Sequence, residues 1–270
     1  MQKIEEQPGR IKLTTRGPYL NYFLTYLIPL YGLQSVDIPA ARSMSSDYAT
    51  FFSKMNGNSL RYYELLNVRF FLSNNPLGIP GLAPRFNFQH PGTKENIYCY
   101  EYTNTMPRAQ IVYSHVASAE LDDIFNTLQS PGFDPRKSVL LISDDDHADK
   151  FPPAHNTAHL QYSTDITEYK QTKITIRTTL QDKGMLVLAD HFDIGWNVYI
   201  DNKKSSIVRA NYLMRGVFLD SGEHTVIFKY EPSMATYTIS LIGLFILLIL
   251  ICIYFYRLYE QMDGASAAGN

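Results

Sequence analysis

The chain has 270 residues, 24 basic and 26 acidic side chains, and a formal net charge of -2. That balance gives no electrostatic footprint for nucleic acid, and two cysteines exclude a disulfide framework. Aromatic residues make up 13% of the chain, which suits a β-rich body or one that meets sugars or a lipid surface.

Residues 1–15 carry Lys3, Glu5, Glu6, Arg10 and Lys12 and lack the apolar stretch of a secretory signal. Gly17 to Val36 is uncharged but is interrupted by Pro18, Asn21, Pro29, Gly32 and Gln34, so it reads as an amphipathic or buried segment. A helix is expected from Ser45 or Ser46 to Asn56. Leu60 to Ser73 starts as a helix and passes into a strand over Val68 to Leu72. Asn74 to Pro91 is rich in proline and glycine and is expected to be a loop. Strands are expected over Ile97 to Tyr102, Ala109 to Ser114 and Ser138 to Ile142. Ser118 to Leu128 reads as a helix, capped by Ser118 and favoured at its positive end by Glu120, Asp122 and Asp123. Asp144 to His159 is polar and marks the expected boundary between subdomains.

From Tyr169 onward the pattern is regular β. Strands are expected over Lys173 to Leu180 and Gly184 to Asp190. A hairpin of Trp196 to Asp201 with Ser206 to Ala210 is expected to turn at Asp201-Asn202-Lys203. A second hairpin pairs Tyr212 to Leu219 with His224 to Tyr230 through Asp220-Ser221-Gly222. Short strands at this spacing suggest a sandwich.

Pro232 to Tyr256 contains no charged residue. Thr236 to Tyr256 meets the roughly 20 apolar residues that a bilayer-crossing helix needs. Tyr237 at one end and Tyr254, Tyr256 and Tyr259 at the other suit an interfacial aromatic belt. The small-residue tail Gly264 to Asn270 reads as disordered. The expected organisation is therefore α+β. Residues 1–150 form a mixed α/β region, 151–231 a β-sandwich-like domain, 232–257 a transmembrane helix and 258–270 a cytoplasmic tail. Such a chain is either a tail-anchored cytosolic body or the last piece of a longer polytopic protein.

Three short runs carry a family likeness. They are Gly195-Trp196-Asn197-Val198-Tyr199-Ile200-Asp201, Arg209-Ala210-Asn211-Tyr212-Leu213-Met214-Arg215-Gly216-Val217, and Gly222-Glu223-His224-Thr225-Val226 with Phe228-Lys229-Tyr230. Followed by a spanning helix, they resemble the C-terminal region of YfhO-type bacterial membrane proteins. Leu65 to Leu72 and Met106-Pro107-Arg108-Ala109 resemble earlier segments of the same family. Ile194 stands where the family usually has proline, and Asp201-Asn202 replaces an Asp-Gly turn.

The resemblance implies kinship with GT-C glycosyltransferases, which have many membrane helices, an extracytoplasmic C-terminal domain and a last helix. It implies transfer of sugars from polyprenyl-phosphate donors to cell-envelope polymers, with the bilayer, upstream membrane helices and a glycan or polyprenyl-linked sugar as partners. The body would be extracytoplasmic. The family's acidic catalytic residue lies on an early loop that has no counterpart here, so no catalytic residue carries over. No cofactor is expected.

Trp196, Tyr199, Asn211, Tyr212 and Arg215 are the candidate glycan-binding residues, because aromatic rings cover sugar faces and arginine binds anions in a fork. The competing reading makes Trp196 a core residue of the sandwich. Asp144-Asp145-Asp146-His147 with His155 and His159 is the only grouping that looks metal-like. It is broken by Pro152 and Pro153 and lacks the glutamate of the zinc-protease motif, so no metal is expected. No nucleophile elbow or phosphate-binding glycine loop is present. A tail-anchored binding module and a metal-dependent hydrolase are the rival readings.

Overall fold

The computed structural model describes residues 9–15, 25–37, 45–55, 59–90, 94–142, 150–152, 157, 159–232 and 235–267. The chain divides into two compact units, Met1–Lys229 and Tyr230–Asn270. The class is α+β.

The first part of the body holds β1 (Arg10–Leu13), β2 (Gln34–Ser35), α1 (Ser46–Lys54), α2 (Leu60–Leu65), β3 (Val68–Ser73), β4 (Leu82–Gln89) and β5 (Asn96–Tyr102). Ser45 and Ser59 cap the two helices, each hydroxyl accepting a backbone N–H 3.2 Å away, from Tyr48 and Tyr62. Asn67 takes a left-handed φ of 57° and turns α2 into β3. The five strands form one sheet in the order β2-β1-β3-β5-β4. The expected loop after Asn74 is corrected here, since β4 runs through it. Pro84 is tolerated because β4 is an edge strand, and the register slips between Pro84 and Phe86.

The rest of the body holds β6 (Ala109–Val112), β7 (Ser114–Ser118), α3 (Leu121–Gln129), β8 (Ser138–Ile142), β9 (Tyr162–Lys170), β10 (Lys173–Leu180), β11 (Gly184–His191), β12 (Trp196–Ile200), β13 (Lys203–Ser205), β14 (Val208–Ala210), β15 (Met214–Leu219) and β16 (Gly222–Tyr230). They form a six-stranded sheet, β6-β11-β15-β14-β8-β7, and a five-stranded sheet, β13-β12-β16-β10-β9. The six-stranded sheet takes strands from both sides of residue 150.

Three details differ from the sequence reading. Ser118 ends β7 and does not cap α3, whose cap position is Glu120 with no side-chain bond. β12 pairs with β13 across a two-residue turn in which Asp201 and Asn202 both have positive φ, 49° and 67°. That backbone matches the twist of the strands it joins. β14 leaves for the other sheet. β15 and β16 likewise do not pair with each other, because the chain crosses between sheets at Asp220–Gly222.

The two sheets pack face to face. Ile174, Ile176, Val198, Val226 and Phe228 of one meet Ile111, Leu186, Leu188 and Val217 of the other in a shared buried cluster. Alternation along β11 sends Met185, Val187 and Ala189 to the opposite side. There they join Phe51, Leu65, Phe71, Phe125, Leu128 and Tyr212 in a second core built from helices and the first sheet. The middle sheet is thus buried on both faces, which explains why β11 is apolar almost throughout. A third cluster packs Ile28 of the helical stretch 25–30 on Ile11, Phe70, Leu72 and Ile97.

The second unit is the helix α4 (Ala235–Ala267). Among the described residues, no helix is long and apolar enough to cross a membrane. The described side chains from Leu241 to Phe255 are exposed on every face of α4.

Candidate functional site

A buried ionic cluster joins four strands that are far apart in sequence. Asp190, on β11, is 5% exposed and sits at its centre. Arg10 of β1 donates from Nη2 to Asp190 Oδ1 at 2.7 Å, and from Nη1 to the carbonyls of Leu66 and Ala189. Arg108, just before β6, reaches the same Oδ1 at 2.7 Å. It also donates to Gln34 Oε1 and to the Tyr169 hydroxyl, and its guanidinium lies 4.7 Å from the Tyr169 ring centre. Tyr169 of β9 donates its own proton to Asp190 Oδ2 at 2.9 Å.

Arg215 of β15 lies nearby, its Nε donating to the carbonyl of His191 at 2.9 Å. Burial pushes the Asp190 carboxyl up, but Arg108, Arg10 and Arg215 together overcome it and hold the group below its ordinary range. Burial lowers Arg10, and repulsion from Arg108 lowers it further. Burial brings Arg215 down to about 10.

Arg108 and Tyr169 line a cleft of about 800 Å³, together with Gln34, Asn67, Arg69 and Thr105. That volume falls within the usual range of about 300–1,000 Å³ for small-ligand sites. Asn67 Oδ1, Thr105 Oγ1 and Arg108 Nε are buried polar atoms without a partner among the described residues. Arg69 is held by Glu101 at 2.6 Å, and Arg85 approaches the other Glu101 oxygen at 2.6 Å. Asp190 itself lines a smaller cavity of about 150 Å³, together with Arg10, Tyr48 and His191. Burial lowers the pKa of His191, which contacts the Ser45 hydroxyl at 3.2 Å.

The five glycan candidates do not form one face. Asn211 is fully buried at φ 45°, with Oδ1 accepting the Leu140 N–H at 2.9 Å. Tyr212, at φ 66°, is packed against Phe125 with ring centres 4.8 Å apart. Neither is open to a sugar. Trp196 and Tyr199 lie three residues apart on β12 and so point to opposite faces. Trp196 packs against the sandwich core, and the Arg215 guanidinium stacks 3.8 Å from its ring centre. Tyr199 carries Lys229 at 4.9 Å.

Asp144, Asp145, Asp146, His147 and His155 lie outside the described residues. Among those described, no group of His, Cys, Asp or Glu has metal-binding geometry. Sequence reasoning missed Arg10, Tyr169 and Asp190 because no motif links positions so far apart; the Pro-Arg opening β6 was the one visible signal.

Residues 147–243 match the family model described as bacterial membrane protein YfhO. The match takes in β9 to β16 and the start of α4, and with them Tyr169, Asp190 and Arg215. No curated protein matches the chain, and no solved structure matches it.

Proposed function

We propose that this chain is the extracytoplasmic C-terminal part of a YfhO-like envelope glycosyltransferase, itself non-catalytic and held at the bilayer by α4. The observation that carries the reading is the run Leu241–Phe255, apolar and exposed on every face, joined to the region that matches the YfhO family model. Such a surface is stable in lipid and not in water. Thr236 to Tyr256 continues the run without charge to about the length of a bilayer span.

The non-catalytic part of the proposal rests on the carboxylates. Glycosyl transfer needs a general base whose pKa suits the reaction and a pocket for the donor. Asp190 is buried, bound by two arginines and a tyrosine, and held below its ordinary pKa. Glu64 is clamped between Arg61 and Arg136, and Glu101 between Arg69 and Arg85. None of the three is a free base.

Protease added to intact cells that make the chain together with its upstream membrane helices tests the topology. Digestion of the body with survival of an α4-sized fragment is expected. Full protection of the body places it inside the cell and favours the tail-anchored binding module.

A further inference from the structure

We infer that the end of the body at which β16 finishes is a docking surface for a lipid bilayer, with its exposed apolar side chains seated in the interfacial layer. Among the described residues of the body, the four most exposed large apolar side chains are Ile194 at 94%, Leu30 at 78%, Tyr31 and Tyr26. They come from two segments far apart in sequence. Exposed apolar residues scattered singly need no explanation, but four gathered at one end do.

The pairing of the strands brings both segments to that end. Lys229, near the end of β16, pairs with Lys173, and Lys173 pairs with Lys170, so the β9–β10 turn lies there. The Arg215 guanidinium lies over both Trp196 and Phe228, so the loop of residues 192–195 leading into Trp196 lies there too. Tyr169, one residue before the β9–β10 turn, accepts from Arg108, which also donates to Gln34. Gly32 and Leu33 share a cleft wall with Tyr169, and the helical stretch 25–30 precedes them directly.

Both segments are built to hold these side chains outward. The Asp193 carbonyl accepts the Trp196 N–H at 3.1 Å, and Asp193 Oδ1 accepts the Gly195 N–H at 2.7 Å. Ile194 is thus fixed at the tip of a closed turn. In the helical stretch, Ile28 is fully buried on Ile11, Phe70, Leu72 and Ile97, while Tyr26 and Leu30, four residues apart, share the outer face. No residue from Thr25 to Val36 is charged. Aliphatic side chains with tyrosines beside them suit the plane of a membrane interface. Lys170, Lys173 and Lys229 are matched by Glu168, Asp193 and Glu231, so the attraction is apolar and needs no anionic lipid.

The chain itself names the occupant. Only residues 230–234 separate Lys229 from Ala235, where α4 begins, a tether of at most about 20 Å. The inference therefore rests on the proposed reading of α4 as the anchor, which keeps this end of the body within reach of the bilayer.

The test uses the full chain with Cys252→Ser in phosphatidylcholine nanodiscs, carrying one polarity-sensitive fluorophore at a time on Ile194→Cys, Leu30→Cys, Ile246→Cys or Thr179→Cys. Thr179 is exposed and pairs with Ser163 and Glu223 at the opposite end of the outer sheet. Blue-shifted emission that is lost to nitroxide-bearing lipid is expected at 194, 30 and 246, and no loss at 179. Loss at 246 with none at 194 or 30 overturns the inference and leaves the anchor standing. No loss at any of the three overturns both. A blue shift at 194 and 30 that grows with protein density and is untouched by nitroxide lipid assigns the surface to a second copy of the chain and overturns the inference.

Discussion

Arg10 and Asp190, separated by 180 positions in the chain, meet at 2.7 Å inside the body. The pair links the first sheet to the middle sheet, and Arg108 and Tyr169 close on the same carboxylate. Asp190→Ala leaves the guanidinium groups without their counter-charge. Removing one partner of a buried pair costs about 3–5 kcal/mol, so the full chain in detergent should lose most of its cooperative near-ultraviolet transition. Glu168→Gln, which breaks exposed contacts to Lys170 and Lys173, should leave that transition where it is.

The pH dependence of stability should show two separate windows. Asp190 has a lowered folded pKa, so its contribution is complete above the unfolded value of 3.8 and is lost as pH falls through the folded value. His191 has a folded pKa below the ordinary 6.5, so between the two values the unfolded chain binds the extra proton. Stability should therefore decline on acidifying below about 6.5, and His191→Gln should remove that decline alone. Denaturant midpoints measured from pH 8 to pH 3 check both; a flat profile of the parent chain between pH 7 and pH 5 contradicts the His191 assignment.

Asn211 should be sensitive to backbone conformation as well as to its hydrogen bond. Asn211→Ala loses the bond to Leu140 and the short polar side chain that makes φ 45° tolerable for asparagine, a combined cost of about 2–4 kcal/mol. Asn211→Gly relieves the backbone and should cost about half as much. If glycine proves worse than alanine in chemical denaturation, the left-handed turn is not what selects asparagine.

Trp196 should act through folding. Trp196→Ala removes the ring from the edge of the sandwich core and from under Arg215, at a cost of about 3 kcal/mol. A double-mutant cycle with Arg215→Met should return a coupling of about 1–2 kcal/mol for the stacked pair. A coupling near zero would mean that the 3.8 Å stack adds nothing beyond burial.

The two cysteines report on α4. Cys99 is buried, and burial pushes its thiol up to about 12, so it should resist alkylation in the folded chain. Cys252 is exposed on the helix. With α4 in a bilayer, a lipophilic maleimide should label Cys252 and a charged one should not. Equal labelling by both would place that surface in water and remove the anchor.

Local chemistry was legible where it was self-contained. Ser45 caps a helix where a start at Ser45 or Ser46 was expected, and Asp201-Asn202 turns a tight hairpin. Partnership between strands was not legible. The sequence pairs Tyr212–Leu219 with its neighbour His224–Tyr230, yet the chain places them in different sheets, because alternation specifies a face and not a partner. Edge strands were the other loss. β4 holds a proline, and much of β9 alternates between exposed and half-buried polar residues, so neither carries the apolar signature of a strand. The ionic cluster was hidden for a related reason: Arg10, Arg108, Tyr169 and Asp190 become neighbours only through the stacking of sheets.

The position of β16 sets the order in which the body can be completed. It lies between β12 and β10, with eight residues, Gly222 to Lys229, in register against Leu180 to Lys173. Until those residues have been synthesised, the outer sheet exists as two separate ribbons, β9-β10 and β12-β13, each with an open side. Long-range closure of this kind is slow and exposes unpaired strand edges to other chains. A chain cut just before Gly222 would therefore leave a nearly full-length body in an aggregation-prone form, because the nine residues of β16 are what join the two ribbons.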